Sequence, residues 1–320
     1  MSIQDVELES RPCPLGCPPD HELVLVGRDR LHGLPGEFRV IRCRACGLMR
    51  TDPRPTPETM DFYYPQEYGP YQSTHVGMNS EASGLRQRIN FLAKRIINLR
   101  IDCVPSLTPG RMLEIGCAAG AFLHRMAKLG WDVEGIEFSE PAADAARSLG
   151  YRVQCSTLET APAPAQTYDL IVGWMVIEHL HEPIVALRKL HSWTKPGAWL
   201  VISVPNAAAW EFAFFKDAWF ALQLPNHLYH LTPQSLEKLL ERGGWRIERV
   251  FHQRDIGNLV TSLGYFLQDR QRFPGIARRL IAFPNQKKGL LYLSLLPLTY
   301  LLSAIGQTGR TTVWALRDDD

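Results

Sequence analysis

The chain has 320 residues, 45% of them apolar, with 35 basic against 33 acidic side chains and a formal net charge of +2. That length accommodates one catalytic-sized domain with a smaller attachment, and the apolar share suffices for a packed core. The near-neutral charge excludes a polyelectrolyte, so no DNA partner is expected and RNA is disfavoured.

The first ten residues, MSIQDVELES, are acidic and lack the apolar stretch of a secretory leader. Seven cysteines, an odd number, fit a reducing compartment better than a disulfide framework, so a cytoplasmic location is expected. Residues 1–55 are rich in Cys, Pro and Gly, with short apolar runs at Glu22–Val26 and Phe38–Ile41. They read as a small β-type module. Cys13-x-x-x-Cys17 and Cys43-x-x-Cys46 form two knuckles, each set among turn formers. Four thiolates suit tetrahedral, structural Zn2+, and a module with so little core gains stability from a metal. His21 and His32 are alternative ligands. Residues 56–84 form a tyrosine-rich connector holding Tyr63, Tyr64, Tyr68 and Tyr71. Leu85, Ile89, Leu92, Ile96 and Leu99 then recur at helical spacing.

From Arg111 onward strand and helix signals alternate. Strands are expected at Arg111–Ile115, Trp131–Ile136, Tyr151–Gln154, Asp169–Trp174 and Ala198–Val204. Helices are expected at Ala121–Leu129, from an N-cap at Ser139 to Gly150, and at Pro183–Trp193. Lys195-Pro196-Gly197 reads as the turn into the fifth strand. This alternation predicts an α/β, doubly wound sheet with helices on both faces. An aromatic insert follows at 206–231, then a helix capped by Thr232-Pro233 and ended by Gly243-Gly244. Strands Trp245–Phe251 and Thr311–Leu316 bracket a helical insert, 252–310. Its apolar stretch Leu290–Ile305 is too short to span a bilayer. With Lys287 and Lys288 before it, a peripheral membrane contact through 287–306 is an expectation.

The stretch Leu113–Phe122 reads LEIGCAAGAF. A glycine after a buried strand lets the backbone turn sharply against a ligand, and ligands of open α/β sheets bind at the carboxyl ends of strands. Glu137 ends the next strand, where a carboxylate can accept hydrogen bonds from both ribose hydroxyls. A dinucleotide site needs Gly-x-Gly-x-x-Gly to cradle a pyrophosphate. Here the spacing is Gly116-x-x-x-Gly120, which suits a nucleoside without phosphate.

These segments resemble class I S-adenosylmethionine-dependent methyltransferases. LEIGCAAGAF is similar to their first motif and IEFSE (136–140) to the second. YDLIVGWMVIEHL (168–180) resembles the strand-four motif, KPGAWLVISVPN (195–206) the strand-five motif, and LTPQSLEKLLERGGW (231–245) the helix before the final hairpin. The resemblance covers about residues 85–250, and the last strand after a gap. It implies a Rossmann-like, seven-stranded sheet with a reversed carboxyl-terminal hairpin, and S-adenosylmethionine as methyl donor. It further implies that the loop from Glu114 through Gly116, Cys117, Ala118 and Gly120 to Phe122 packs on the methionine part. Glu137 and Phe138 would meet the ribose, Thr157 and Leu158 would flank the adenine, and Gly173 and Trp174 would form the floor. The ribbon, the tyrosines and this domain together resemble zinc-ribbon methyltransferases of sugar and natural-product biosynthesis. Some of those methylate carbon on nucleotide-linked deoxysugars and carry Glu-Tyr-His-His after strand five. Here that region reads Pro225-Asn226-His227-Leu228-Tyr229-His230, so oxygen is an equally open target.

A hydroxyl acceptor, or a sugar carbon beside a ketone, needs a base. The candidates are His227 and His230, with Tyr229 between them, and Glu178 and His179 just past strand four. The expected substrate is a sugar, sugar nucleotide or (lipo)glycan. Rival readings are an RNA methyltransferase using the ribbon to grip RNA, and a non-catalytic zinc-ribbon adaptor.

Overall fold

The computed structural model describes residues 3–65, 103–283 and 294–318. The helix expected from Leu85 to Leu99, Tyr68, Tyr71, Lys287 and Lys288 lie outside the described residues. In chain order the amino-terminal strands are β1 (Leu8–Glu9), β2 (His21–Arg28), β3 (Glu37–Cys43), β4 (Met49–Thr51) and β5 (Arg54–Pro55). Next come β6 (Arg111–Ile115), β7 (Asp132–Glu137), β8 (Arg152–Cys155), β9 (Tyr168–Trp174), β10 (Thr194–Pro205) and β11 (Tyr229–His230). The last two are β12 (Trp245–His252) and β13 (Arg310–Arg317).

Seven of these strands form one sheet in the order β12-β13-β10-β9-β6-β7-β8. Strands β6 to β10 pair in parallel, while β13 runs antiparallel to both β10 and β12. This is the Rossmann-like, doubly wound architecture of class I methyltransferases, reversed hairpin included. Strand β6 is buried at four consecutive positions, as a parallel strand covered on both faces must be. The helix Glu140–Ser148 buries Ala142, Ala143 and Ala146 on one face. Ser139 precedes that helix, but its side chain makes no cap; its backbone N–H goes to Glu137 instead. Thr232 does cap helix Pro233–Arg242, in a reciprocal box with Ser235. Lys195–Gly197 does not precede β10: the strand starts at Thr194, and the register shifts before Trp199, with Gly197 at φ 71°.

A second sheet has the order β11-β4-β3-β2. Three of its strands belong to the cysteine module, and the fourth, Tyr229–His230, comes from the end of the aromatic insert. Packing therefore crosses residue 55. One apolar cluster runs from Leu25, Phe38 and Tyr63 through Trp219 and Leu228 to Leu200 and Ile202 of the large sheet. Most of the insert's aromatics are core: Phe212, Phe215 and Trp219 are buried, whereas Trp210 and Phe214 are exposed. Beyond β12, helices Gly257–Asp269, Pro274–Ile281 and Leu296–Ala304 fill the second insert. The last leaves Leu298 and Leu301 exposed, as is Ile305 just after it. No helix among the described residues is long and apolar enough to cross a membrane.

Candidate active site

The carboxyl ends of β6 and β7 carry the glycine loop and its carboxylate. Gly116, Ala118 and Gly120 all adopt positive φ (67°, 46° and 79°). A Cβ at Gly116 would stand 2.8 Å from Val176 Cγ2, and one at Gly120 2.9 Å from Ala146 Cβ, so neither position tolerates a side chain. Glu137 is buried and braces this loop. One carboxylate oxygen accepts from Ala118 N–H (2.8 Å), the other from Ser139 N–H (2.9 Å). Each oxygen keeps a further lone pair, which is what a vicinal diol requires. Burial raises the Glu137 carboxyl, opposed by the N–H groups of Ser139, Ala118 and Phe138. The cradle fits a nucleoside such as that of S-adenosylmethionine: it has a diol acceptor and no third glycine for a pyrophosphate.

The other loop positions divide. Glu114 and Cys117 are buried beneath the loop, and burial, then Glu114 and Glu137, push the Cys117 thiol up. Phe122 turns into the core against Trp174, ring centroids 5.1 Å apart. Phe138 is exposed and meets Tyr64 edge-on at 5.5 Å. Thr157 is exposed and bonded to Thr160, while Leu158 is buried. Gly173 serves packing inside the sheet, since a Cβ there would lie 2.8 Å from Ile115. Trp174 is half-buried, and its Nε1 is a buried donor without a hydrogen-bond partner among the described residues.

A second cluster follows β9, in the short turn Ile177–His179. Glu178 is fully buried, and among the described residues neither carboxylate oxygen has a hydrogen-bond partner. Its backbone carbonyl accepts from Leu228 N–H at 2.8 Å, which ties this turn to the segment carrying His227. His227 is buried, with Nδ1 2.8 Å from the Ala221 carbonyl. Nδ1 of the half-buried His179 lies 3.0 Å from the Asn226 carbonyl and 2.8 Å from Tyr64 Oη. A carbonyl only accepts, so Nδ1 carries the hydrogen in both rings and each Nε2 keeps its lone pair. The two rings meet edge-on at 4.6 Å. Glu178, His179 and His227 each offer one donor atom, all within 4.8 Å of one another. Such a set can hold an acceptor hydroxyl or a cation.

Burial sets the charge state of this cluster. It lowers His179 to about 4, and burial with the neighbouring His179 and His230 lowers His227 well below its ordinary value. It pushes the Glu178 carboxyl up to about 8. Because the folded state holds this proton more tightly than an unfolded chain, Glu178 destabilises the fold progressively as pH rises from about 4.5 through about 8. The full effect above that window is on the order of a few kcal/mol. Glu178→Gln, which mimics the neutral acid, is therefore expected to melt several degrees above the wild type at pH 9 and close to it at pH 4.5. Parallel thermal melts test this; a Tm difference that does not grow with pH would refute it.

Tyr229 and His230 stand in the second sheet. Tyr229 Oη lies 3.2 Å from Arg54 Nη1 and donates to the His181 carbonyl. His230 Nε2 donates to Thr51 Oγ1 (3.1 Å), because that hydroxyl gives its own hydrogen to the His227 carbonyl (2.8 Å). These polar atoms hold the seam between the cysteine module and the large domain. Sequence reasoning missed Tyr64, Asn226 and Thr51 as partners of the cluster. Only Tyr64 carried a signal, as part of the tyrosine cluster.

The four cysteine sulfurs of the amino-terminal module lie within 4.8 Å of one another, with Cys13 Sγ and Cys46 Sγ at 3.5 Å. Tetrahedral thiolates about 2.3 Å from a metal stand roughly 3.8 Å apart, so the set fits one ion. His21 and His32 are not part of it.

A family model described as a methyltransferase domain matches residues 84–250. The Xanthomonas axonopodis pv. citri protein named ubiquinone biosynthesis O-methyltransferase is 29% identical, over 44% of this chain and 64% of its own length. The Parvibaculum lavamentivorans protein of the same name is 32% identical, over 32% of this chain and 44% of its own. The chain thus spans less than two thirds of either relative. Among solved structures, an S-adenosylmethionine-dependent methyltransferase from Mesorhizobium loti aligns with 73% of this chain and all of its own. Its identity is 18% and its TM-score 0.45.

Proposed function

The chain belongs to the methyltransferase domain family, and we propose that it transfers a methyl group from S-adenosylmethionine to a hydroxyl oxygen of a small, sugar-like acceptor. Sugars, sugar nucleotides and lipid-linked glycans are the substrates this reading covers. The observation that carries it is the Glu178–His179–His227 set, with the His227 Nε2 lone pair unused by the described fold. Oxygen is favoured over carbon because the curated relatives are named O-methyltransferases.

S-adenosylmethionine supplies an electrophilic methyl when bound. The chain's own residues supply placement and proton removal. Gly116–Gly120 and Glu137 hold the nucleoside and the amino-acid end. His227 Nε2 takes the acceptor's hydroxyl proton as the oxygen–methyl bond forms, so the positive charge leaving the sulfonium reappears on the imidazole. Holding His227 neutral beforehand keeps it in the proton-accepting form. Glu178, itself largely neutral near pH 7, neither competes for that proton nor repels electron-rich oxygen. We also infer that Cys13, Cys17, Cys43 and Cys46 hold structural Zn2+ as thiolates.

His227→Asn tests the reading, with turnover measured on a panel of sugar nucleotides and cofactor binding by calorimetry. Turnover is expected to fall about 100-fold with S-adenosylmethionine affinity unchanged. Undiminished turnover would defeat the role of His227.

A further inference from the structure

At the first residue of β13, Arg310 pairs in register with Pro205, the last residue of β10. It therefore stands at the carboxyl edge of the parallel strands. The backbone around it is fixed. The Arg310 carbonyl accepts from Gln253 N–H (3.0 Å), and the Gly309 carbonyl accepts from Asn206 N–H (2.9 Å) and Asn258 Nδ2 (3.1 Å). Gly309 lies so close to Glu211 that a Cβ there would run into the carboxylate. The side chain of Arg310 is half-buried, with Nε buried and unpartnered among the described residues.

Five arginines have such an Nε: Arg30, Arg50, Arg254, Arg310 and Arg317. Arg30 and Arg50 reach aspartates, Arg254 covers the Tyr300 ring, and Arg317 bonds to backbone carbonyls. Of these five, Arg310 is the one whose guanidinium has, among the described residues, no hydrogen bond, no aromatic ring against it and no carboxylate within 4.0 Å. A partly dehydrated guanidinium without a partner is unfavourable for the fold alone. It is favourable when an anion completes it, and its planar fork matches the oxygens of phosphate and carboxylate.

We propose that Arg310 is the anchor for an anionic group, phosphate or carboxylate, carried by the acceptor, and that it presents the acceptor's hydroxyl to His227. This rests on the reading of His227 as the base. The electrostatics agree: the charge of Arg310 acts on Glu178, Glu211 and His227 alike. Burial pushes Glu178 up to about 8 and Glu211 to about 7, with Arg310 opposing both, so near pH 7 Glu178 is largely neutral and Glu211 about half ionised, which leaves part of the guanidinium charge uncancelled.

The test uses the full chain saturated with S-adenosylhomocysteine and titrated at pH 7 with inorganic pyrophosphate and, separately, with succinate. At least one anion is expected to bind the wild type at a single site with submillimolar Kd. Arg310→Gln should weaken it about 10-fold or more, with Arg310→Lys between. Binding of pyrophosphate alone identifies a phosphorylated acceptor, and of succinate alone a carboxylated one. Without anion, Arg310→Gln is expected to melt no lower than the wild type, because no native partner is lost. Equal binding by the variant, no binding of either anion to the wild type, or a lowered Tm for Arg310→Gln would overturn the proposal. His227→Asn separates the two readings: it should keep anion binding even though turnover falls. Turnover unchanged in His227→Asn with anion binding still dependent on Arg310 sinks the base assignment alone.

Discussion

Glu137→Ala is expected to lose S-adenosylmethionine affinity by about 1,000-fold while remaining folded. Two losses combine. The wild-type carboxylate has a free lone pair on each oxygen for the ribose diol, and hydrogen bonds to charged groups contribute about 1.5–3 kcal/mol each. It also braces the loop, accepting from Ala118 at φ 46° and from Ser139 at the entry to the next helix. With the brace gone, Ala118 has little to hold it in a left-handed conformation that an alanine disfavours. Glu137→Gln keeps one acceptor oxygen and should sit between the two. Calorimetric titration with S-adenosylmethionine and with S-adenosylhomocysteine measures all three. A loss below about 10-fold for the alanine variant would mean that the nucleoside is held elsewhere.

Removing the proposed Zn2+ from the cysteine module is expected to lower turnover sharply while leaving cofactor binding nearly intact. Apparent metal-binding free energies in small zinc modules are about 10–16 kcal/mol, so Cys43→Ser or exhaustive chelation should unfold β2, β3 and β4. The damage then reaches the acceptor side through a short path. Thr51, at the end of β4, donates its hydroxyl to the His227 carbonyl (2.8 Å) and its N–H to the Leu228 carbonyl (2.9 Å). Leu228 N–H in turn donates to the Glu178 carbonyl (2.8 Å). The glycine loop and Glu137 stand on parallel strands that this path does not enter. Turnover should fall by about 100-fold or more, the loss expected when a base is misplaced. The Kd for S-adenosylmethionine should change by no more than about threefold. Atomic absorption should find one zinc per chain before treatment and none after. A zinc-free chain with full turnover would show the module to be dispensable for the chemistry, and a chain purified without zinc would overturn the metal assignment.

Much of this molecule is written in local patterns. The alternation of apolar strands with glycine-stopped helices from Arg111 to Val204 determines the parallel half of the sheet, because each strand and helix is specified within a few turns of its own chain. The Gly116–Gly120 spacing and the acidic residue ending the next strand are equally local, and so is the pairing of cysteines into knuckles. Where a neighbour is far away in the chain, the local pattern does not name it. Gly173 makes room for Ile115 of the neighbouring strand, a contact that its own stretch of chain does not announce. The Nε2 of His230 is turned to Thr51, which lies 179 positions earlier. Only the tertiary structure decided that Tyr229–His230 completes the sheet of the cysteine module, that Thr51 supports His227 across 176 positions, and that Arg310 is left without a partner among the described residues. Periodicity reports which face of a strand or helix is apolar. Whether a buried polar group finds its partner depends on which distant segment packs beside it, and no local spacing encodes that.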